Sequence, residues 1–305
     1  MGELNLTAGT RGSSLALWQT NHVISALERA WPGLSCHVKR FKTKGDKTLE
    51  VPLPQIGGKG LFTAELEHAL REGDIDFAVH SLKDLPTDPS PGLTLGAVTN
   101  RTNAQDVLVA HEQWTLETLP AGATVGTSSL RRAAQLHHVR PDLDVQPIRG
   151  NVDTRVRKVH DGTYDAAVMA AAGLERLGLT DHIAEYLSLD VMLPAAGQGA
   201  LAVQCRAGDT QVLALLAAID NEADRMATRA ERTFLSALGG GCSTPIAAYA
   251  RVGDDAMIEM NALIVSLDGQ RVIRVQGVGT DAQQLGRELA KEALGQGAQE
   301  MLAHA

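Results

Sequence analysis

A strand, turn and helix that recur in the same order constrain the fold of this chain more than any other feature. Residues 4–27, "LNLTAGTRGSSLALWQTNHVISAL", and residues 123–136, "ATVGTSSLRRAAQL", each predict a short strand, a Gly/Thr/Ser turn and an amphipathic helix. Further along each half, "GDIDFAVHSLKDL" at 73–85 and "GTYDAAVMAAAGL" at 162–174 share Gly-x-x-Asp-x-Ala-Val. Strands that alternate with helices form mostly parallel sheets, with ligands at the carboxyl ends of the strands. The sequence therefore predicts two similar α/β domains that flank a cleft.

The last third of the chain predicts a smaller α+β domain. Residues 222–238 are typical of a helix that ends at Gly239; three strands follow, with Asp268-Gly269 as a hairpin turn, and a closing helix spans about 281–303. With 305 residues, 44% of them hydrophobic, the chain can bury two or three cores. We predict a first domain at 1–99 plus 200–217, a second at 105–193 and a third at 222–305.

Composition excludes several classes of protein. The net charge of −8 argues against nucleic-acid binding, and no apolar run is long enough to span a membrane. The first 30 residues lack the features of a signal peptide. Cys36, Cys205 and Cys242 are odd in number and have no CxxC spacing, which argues against a disulfide framework and a metal site and indicates a reducing cytoplasm. Nothing in the sequence demands more than a monomer.

Arginines placed near predicted strand ends indicate a ligand with several carboxylates. The chain has 20 Arg and 8 Lys, although genomic base composition also favours arginine. Arg131 and Arg132 fall in the first turn of a helix, where the helix dipole disfavours cations and a bound anion would offset the cost. Arg149 follows a strand, Arg155 lies in the next helix, and Arg11 and Arg176 hold comparable positions. The serines of the turns could instead be simple helix N-caps, and an exposed arginine is usually only a solvated charge.

Two further segments raise functional hypotheses. In "AVHSLKDLP" at 78–86, Lys83 and Asp84 follow a buried strand; they form either a weak surface ion pair or a cleft-lining carboxylate beside a cation. In "GGKGLF" at 57–62, Gly60 stands where a phosphate-binding loop needs Ser or Thr, so the segment with Lys59 and Phe62 is better interpreted as a lid.

Three glycines precede a cysteine in "LGGGCSTPIA" at 238–247. Gly239 could end a helix, the next two glycines could make a turn, and Cys242 could pack as a small hydrophobe. Alternatively, the glycines could let a bulky group approach the backbone. The window alone leaves both interpretations open.

Six motifs in this order resemble the porphobilinogen deaminase (hydroxymethylbilane synthase) family, and the resemblance covers essentially the whole chain: "IGGKGLF", "AVHSLKD", "VGTSSLRR", "RGNVDTR", "AAGQGAL" and "GGGC". The resemblance implies a transferase of tetrapyrrole (haem) biosynthesis, EC 2.5.1.61. Such an enzyme joins four porphobilinogen molecules head to tail, with loss of ammonia, onto a covalent dipyrromethane primer. Hydrolysis then releases the linear tetrapyrrole hydroxymethylbilane, for which uroporphyrinogen-III synthase is the downstream partner.

The resemblance also implies roles for individual residues. Cys242 would hold the dipyrromethane through a thioether, Asp84 would be the catalytic carboxylate with Lys83 beside it, and no metal is expected. A carboxylate suits the reaction because positive charge develops on pyrrole nitrogens. The positions that match contacts to the cofactor or to substrate carboxylates are Arg11, Ser13, Gln19, Thr127, Ser129, Arg131, Arg132, Arg149, Arg155, Arg176 and Gln198.

Two departures from the family pattern and two competing interpretations remain. Residues 101–106 read "RTNAQD" where the family commonly has Arg-Glu-Asp-Pro-Arg-Asp, and the cysteine loop reads "GGGCSTPI" where some members have "EGGCQVPI". Two periplasmic-binding-protein-like α/β domains around a cleft also describe solute-binding and ligand-sensing proteins, which would need no Asp84 chemistry. A cysteine hydrolase is the other alternative, but no histidine is well placed for it.

Overall fold

The computed structural model describes residues 4–43, 45, 63–88, 90–241 and 244–303. The predicted attachment residue Cys242 and the predicted lid residues Lys59 and Phe62 lie outside the described residues. Across the described part of the chain, no helix has both the length and the apolar character needed to cross a bilayer.

Thirteen strands and nine helices lie within the described residues. The strands are β1 (Leu4–Arg11), β2 (Leu34–Phe41), β3 (Phe77–Ser81), β4 (Leu93–Val98), β5 (Asp106–Ala110), β6 (Thr124–Gly126), β7 (Asp144–Gln146), β8 (Ala166–Ala170), β9 (Glu185–Tyr186), β10 (Leu201–Arg206), β11 (Ile246–Val252), β12 (Ile258–Val265) and β13 (Val272–Gly279). The helices are α1 (Ser14–Ala30), α2 (Ala64–Arg71), α3 (Leu130–Val139), α4 (Val152–His160), α5 (Ala171–Arg176), α6 (Thr210–Leu216), α7 (Glu222–Ala237), α8 (Ala282–Gly295) and α9 (Ala298–Leu302).

Two five-stranded sheets have the same topology, as the recurring sequence pattern predicts. The first has the order β2-β1-β3-β10-β4 and the second the order β7-β6-β8-β5-β9. In each sheet three neighbouring strands are parallel, and the fourth strand, β10 or β5, runs antiparallel to both of its neighbours. The chain enters that antiparallel strand directly after it crosses from the other sheet. The mostly parallel α/β architecture is therefore confirmed, with one reversed strand per sheet at the crossover.

The helices begin where the sequence places capping residues. Ser13 Oγ accepts a hydrogen bond from the Ala16 N–H at the start of α1, and Ser129 Oγ accepts one from the Arg132 N–H at the start of α3. These caps satisfy N–H groups that have no partner within the helix. The interpretation of Ser129 as an N-cap is thus correct, and Ser13 has the same role at the start of α1.

The third domain is a three-stranded antiparallel sheet, β11-β12-β13, covered by α7 and α8. Phe234 of α7 is completely buried in its core. As predicted, α7 is followed by Gly239 in the left-handed region, with φ of +67°. The prediction of a single closing helix at about 281–303 was wrong, since the structure has two helices, α8 and α9. Gly297, with φ of +95°, separates them because a left-handed residue interrupts the helical hydrogen-bond ladder.

The second and third domains meet where the carboxyl end of α3 reaches the β12–β13 hairpin. His137 Nδ1 lies 2.8 Å from the Leu267 carbonyl oxygen, and His138 Nδ1 lies 2.9 Å from that of Gly269. A Cβ at Gly269 would lie 2.4 Å from the backbone nitrogen of His138, and the φ of this glycine is +75°. Only glycine therefore satisfies both the turn and the close approach of the helix.

Candidate functional site

Lys83 and Asp84 lie in a short 3-10 turn directly after β3. Asp84 is exposed and Lys83 is partly buried, with Lys83 Nζ donating a hydrogen bond of 3.1 Å to Gln198 Oε1. Burial, followed by the charge of Arg132, lowers the pKa of the Lys83 ammonium to about 8, against the opposing effect of Asp84 and Asp106. The turn therefore presents an open carboxylate beside a cation that can lose its proton near neutral pH.

Asp106, at the start of β5, is the central anion of the site, and sequence reasoning did not assign it a role. Its carboxylate is completely buried, 2.8 Å from Arg131 Nη1 and 2.7 Å from Arg132 Nη2. Burial alone would raise the pKa of Asp106, but Arg131 and Arg132 hold it well below its ordinary value. One signal was available, since Asp106 is one of two residues that segment 101–106 keeps from the family pattern.

This carboxylate changes the interpretation of the two arginines at the start of α3. An internal anion, Asp106, offsets the cost of placing cations at a helix N-terminus, so a ligand is not required for that purpose. Arg131 also donates to the Leu193 carbonyl and Arg132 to the Val168 carbonyl. The structure therefore fixes both guanidinium groups in place.

Gln198 connects Lys83 to Asp106. Its Oε1 accepts from Lys83, while its Nε2 donates to Asp106 Oδ1 at 2.8 Å and to the Ala104 carbonyl at 2.7 Å. Gln198 and Asp106 come from the two segments that join the sheets. The Lys83-Asp84 turn of the first domain is thus tied to both interdomain crossovers by one continuous hydrogen-bond network.

Arginines of the second domain lie near Asp84. Burial, followed by the neighbouring charges of Arg132 and Arg149, lowers the pKa of Arg155 to about 10, against the opposing effect of Asp84. Arg149 is partly buried and lies three residues beyond β7. In the part of the chain that the structure describes, Arg132, Arg149 and Arg155 therefore bring together guanidinium groups of the kind that bind a ligand carrying several carboxylates.

Side chains of the first domain, Asp84 among them, line a small pocket. Its lining includes Arg11, at the end of β1, with Ser13, Gln19 and Asp84. Gln19 Nε2 donates to Ser81 Oγ at 2.8 Å. His80, which sequence reasoning missed, also lines the pocket; burial, followed by the charge of Arg11, lowers its pKa to about 4, so the imidazole is neutral.

Arg176 and Thr127 have structural contacts of their own. Arg176 ends α5, the short helix that directly follows β8, a position comparable to that of Arg155. It donates to the Gly199 carbonyl at 2.6 Å and to Thr102 Oγ1 at 3.2 Å, both on the crossovers. Burial lowers its pKa to about 10. Thr127 is buried, and its Oγ1 accepts from the Ser129 N–H at 3.2 Å.

Two of the three glycines before Cys242 have reasons of their own. Gly239 has a positive φ, and a Cβ at Gly240 would lie 2.6 Å from Ile246 Cδ1 and 2.7 Å from Leu235 Cδ1. A Cβ at Gly241 would meet nothing within 4 Å. A helix cap and close packing thus account for the first two glycines, and the space beside the third is open.

Comparisons with known proteins agree on one family. The model for the porphobilinogen deaminase dipyromethane cofactor binding domain matches residues 6–214, and that for the porphobilinogen deaminase C-terminal domain matches residues 226–295. The porphobilinogen deaminase of Moorella thermoacetica is 50% identical over 301 residues, covering 98% of this chain and 96% of that protein. That of Roseiflexus castenholzii is 50% identical over 300 residues, covering 98% and 99%. Among solved structures, the BenM effector binding domain with benzoate covers 72% of this chain and 91% of that chain at 15% identity and a TM-score of 0.44, a likeness too distant to bear on function. This chain belongs to the porphobilinogen deaminase family.

Proposed function

We propose that this chain builds hydroxymethylbilane from four porphobilinogen molecules and that Asp84 is the carboxylate that serves every addition. The observation that carries the assignment of Asp84 is its exposure at a strand end, beside Lys83 and within the field of Arg155. A carboxylate that is open to ligand and flanked by cations can meet the N–H groups of a pyrrole while the cations hold its carboxylates.

The residues around Asp84 fit the dipyrromethane cofactor of this family. When bound, the cofactor supplies the primer onto which substrate rings are added, and each of its rings carries two carboxylates. Lys83, Arg149 and Arg155 bring cations to the surroundings of Asp84, and Arg11 and Ser13 line the same pocket as Asp84. We expect these five side chains to hold cofactor and substrate carboxylates, with Cys242 as the covalent attachment point.

Asp84 and Asp106 would have different roles because their surroundings differ. Asp106 is buried and ion-paired, so it remains ionised and fixes Arg131 and Arg132. Asp84 is exposed and can approach a substrate N–H group. In this scheme Asp84 stabilises the positive charge that develops on the pyrrole nitrogen, and Asp106 keeps the cation cluster assembled. Arg176, Gln19, Thr127, Ser129 and Gln198 would position these groups through the contacts described above.

Intact mass spectrometry of the denatured protein tests the covalent assignment. We expect an excess mass of one dipyrromethane in the wild-type protein and none in Cys242→Ser. An unmodified wild-type protein from cells that make the cofactor would refute attachment at Cys242.

Steady-state turnover of porphobilinogen tests the role of Asp84. Losing a group that stabilises transition-state charge typically costs about 10²–10³-fold in kcat, so we expect Asp84→Asn to lose at least that much. Asp88, an exposed carboxylate four residues later, provides the matched control, and the kcat of Asp88→Asn should stay within about threefold of the wild-type value. Comparable rates for the two variants would remove Asp84 from the mechanism.

We further propose that the two α/β domains shift during elongation, since one carboxylate must serve four additions. A disulfide engineered across the cleft should stall the chain at a partial length, and full turnover of the locked protein would contradict the idea. Four further statements remain predictions. They are a cytoplasmic location, a monomeric state, transfer of product to uroporphyrinogen-III synthase, and the domain boundaries 1–99 plus 200–217, 105–193 and 222–305.

A further inference from the structure

A second concentration of arginine lies in a cavity between the first and third domains. The cavity has a volume of about 520 Å³ and is lined by Arg225, Arg229 and Arg232 of α7 and by Arg287 of α8. The three arginines of α7 are spaced four and three residues apart, so they share one helical face. The opposite face, with Phe234, is buried in the core of the third domain.

The charges that line this cavity are not balanced. Among the described residues that line it, none is Asp or Glu. Two carboxylates lie near the cavity. Asp220 pairs with Arg225 at 2.7 Å. Backbone hydrogen bonds at the start of α8 lower the pKa of Asp281 most, and the charges of Arg287 and Arg229 lower it as well. Within the described residues, four arginines line the cavity and these two carboxylates lie beside it, in a protein whose net charge is −8. Such a local excess of positive charge attracts anions.

The remaining lining favours a small organic anion. Leu82, Leu95 and Val98 provide an apolar wall, and Thr87 and Gln283 provide neutral hydrogen-bonding groups. The volume lies within the range of about 300–1,000 Å³ that is usual for small-molecule sites. An apolar wall with arginines around it matches a ligand that has a short carbon body and charged ends.

We propose that this cavity is a second ligand site, which binds a small dicarboxylate. Arg229 and Arg287 are exposed at its rim and line the same cavity, so both can face one ligand. Planar guanidinium groups match the geometry of a carboxylate. The partly buried Arg225 and Arg232 add positive charge deeper in the cavity, where the second carboxylate would lie.

The cavity is separate from the Asp84 site but is linked to it by Arg232. This guanidinium donates to the carbonyls of Leu82, Leu85 and Pro86, the segment that carries the catalytic turn. A ligand in the cavity would therefore contact the back of that segment without entering the cleft. Binding itself requires only the arginines, so the inference does not rest on the proposed chemistry.

Isothermal titration calorimetry of the holoenzyme with succinate tests the proposal. We expect the double variant Arg229→Gln/Arg287→Gln to lose at least tenfold in affinity for the cavity site. Arg157→Gln, an exposed arginine on α4 in the second domain, is the matched control and should bind as the wild type does. Ligand-free thermal unfolding of all three proteins verifies that the exposed substitutions leave the fold intact.

Because the cleft is also rich in arginine, Arg149→Gln distinguishes the two places. Binding that persists in Arg149→Gln and is lost in the double variant supports the cavity. The reverse pattern, or unchanged affinity in the double variant, would overturn the proposal. Inorganic phosphate is the second probe: if phosphate binds the cavity as tightly as succinate does, the cavity is a general anion site and the dicarboxylate assignment is wrong.

Discussion

Replacing Asp106 with Asn tests whether one buried carboxylate holds the cation cluster together. The substitution keeps the size and one acceptor oxygen of the side chain but removes the charge that faces Arg131 at 2.8 Å and Arg132 at 2.7 Å. Both guanidinium groups would stay buried without a counter-ion, a state that is far more costly than the intact pair.

The expected loss of stability follows from the number and burial of these contacts. Removing one partner of a buried ion pair costs about 3–5 kcal/mol. Asp106 serves two arginines and Gln198, but the losses are not additive, and Asn still accepts one hydrogen bond. We therefore expect the unfolding free energy to fall by about 3–5 kcal/mol rather than by twice that amount.

Urea unfolding monitored by circular dichroism measures the effect, with an exposed pair in the same domain as the control. Asp142 pairs with Arg140 at 2.7 Å but lies at the surface, so Asp142→Asn should change stability little. Equal effects of the two substitutions, or a loss below about 1 kcal/mol in Asp106→Asn, would refute a buried ion-pair node.

The pH dependence of this difference provides an independent check. The pKa of Asp106 is lower in the folded than in the unfolded protein, so its contribution to stability is fully present above the unfolded value of about 4. The contribution is lost as the pH falls below that value. The stability gap between wild type and Asp106→Asn should therefore be constant from pH 5 to 7 and should narrow in more acidic solution.

Two further predictions follow from single contacts. In Cys242→Ser, the rate of acylation of Lys83, measured by peptide mass spectrometry, should increase with pH and reach half of its maximum near pH 8, because burial and Arg132 disfavour the ammonium form. A midpoint above pH 10 would show that Lys83 does not have these surroundings. Gly269→Ala should lower the free energy of unfolding in urea by about 1–3 kcal/mol more than Gly122→Ala does, since both glycines have positive φ but only Gly269 lies against backbone atoms. Equal losses would show that the hairpin moves to make room for the added methyl group.

Local sequence patterns were sufficient to predict the architecture and the location of the Lys83-Asp84 turn. The spacing of apolar residues identifies a strand or a helix from a dozen neighbouring positions, so the two repeated halves, the α7 helix and the Asp268-Gly269 turn were all predicted. Lys83 and Asp84 were correctly placed at the end of a buried strand because strand and turn are adjacent in the chain. The closing helix failed because the sequence pattern did not show that Gly297 would adopt φ of +95°.

Tertiary structure alone decided which charges meet. Arg131 and Arg132 have the same sequence surroundings whether a ligand or a protein carboxylate faces them, and only the antiparallel placement of β5 brings Asp106 against them. The arginine cavity likewise requires α7 to lie against the first domain. The physical reason is that propensity and periodicity act over a few residues, whereas ion pairs depend on distances between segments that are remote in the chain. The sequence by itself therefore determined the elements and the side chains available, and packing determined which of these charges are neutralised and which remain to bind a ligand.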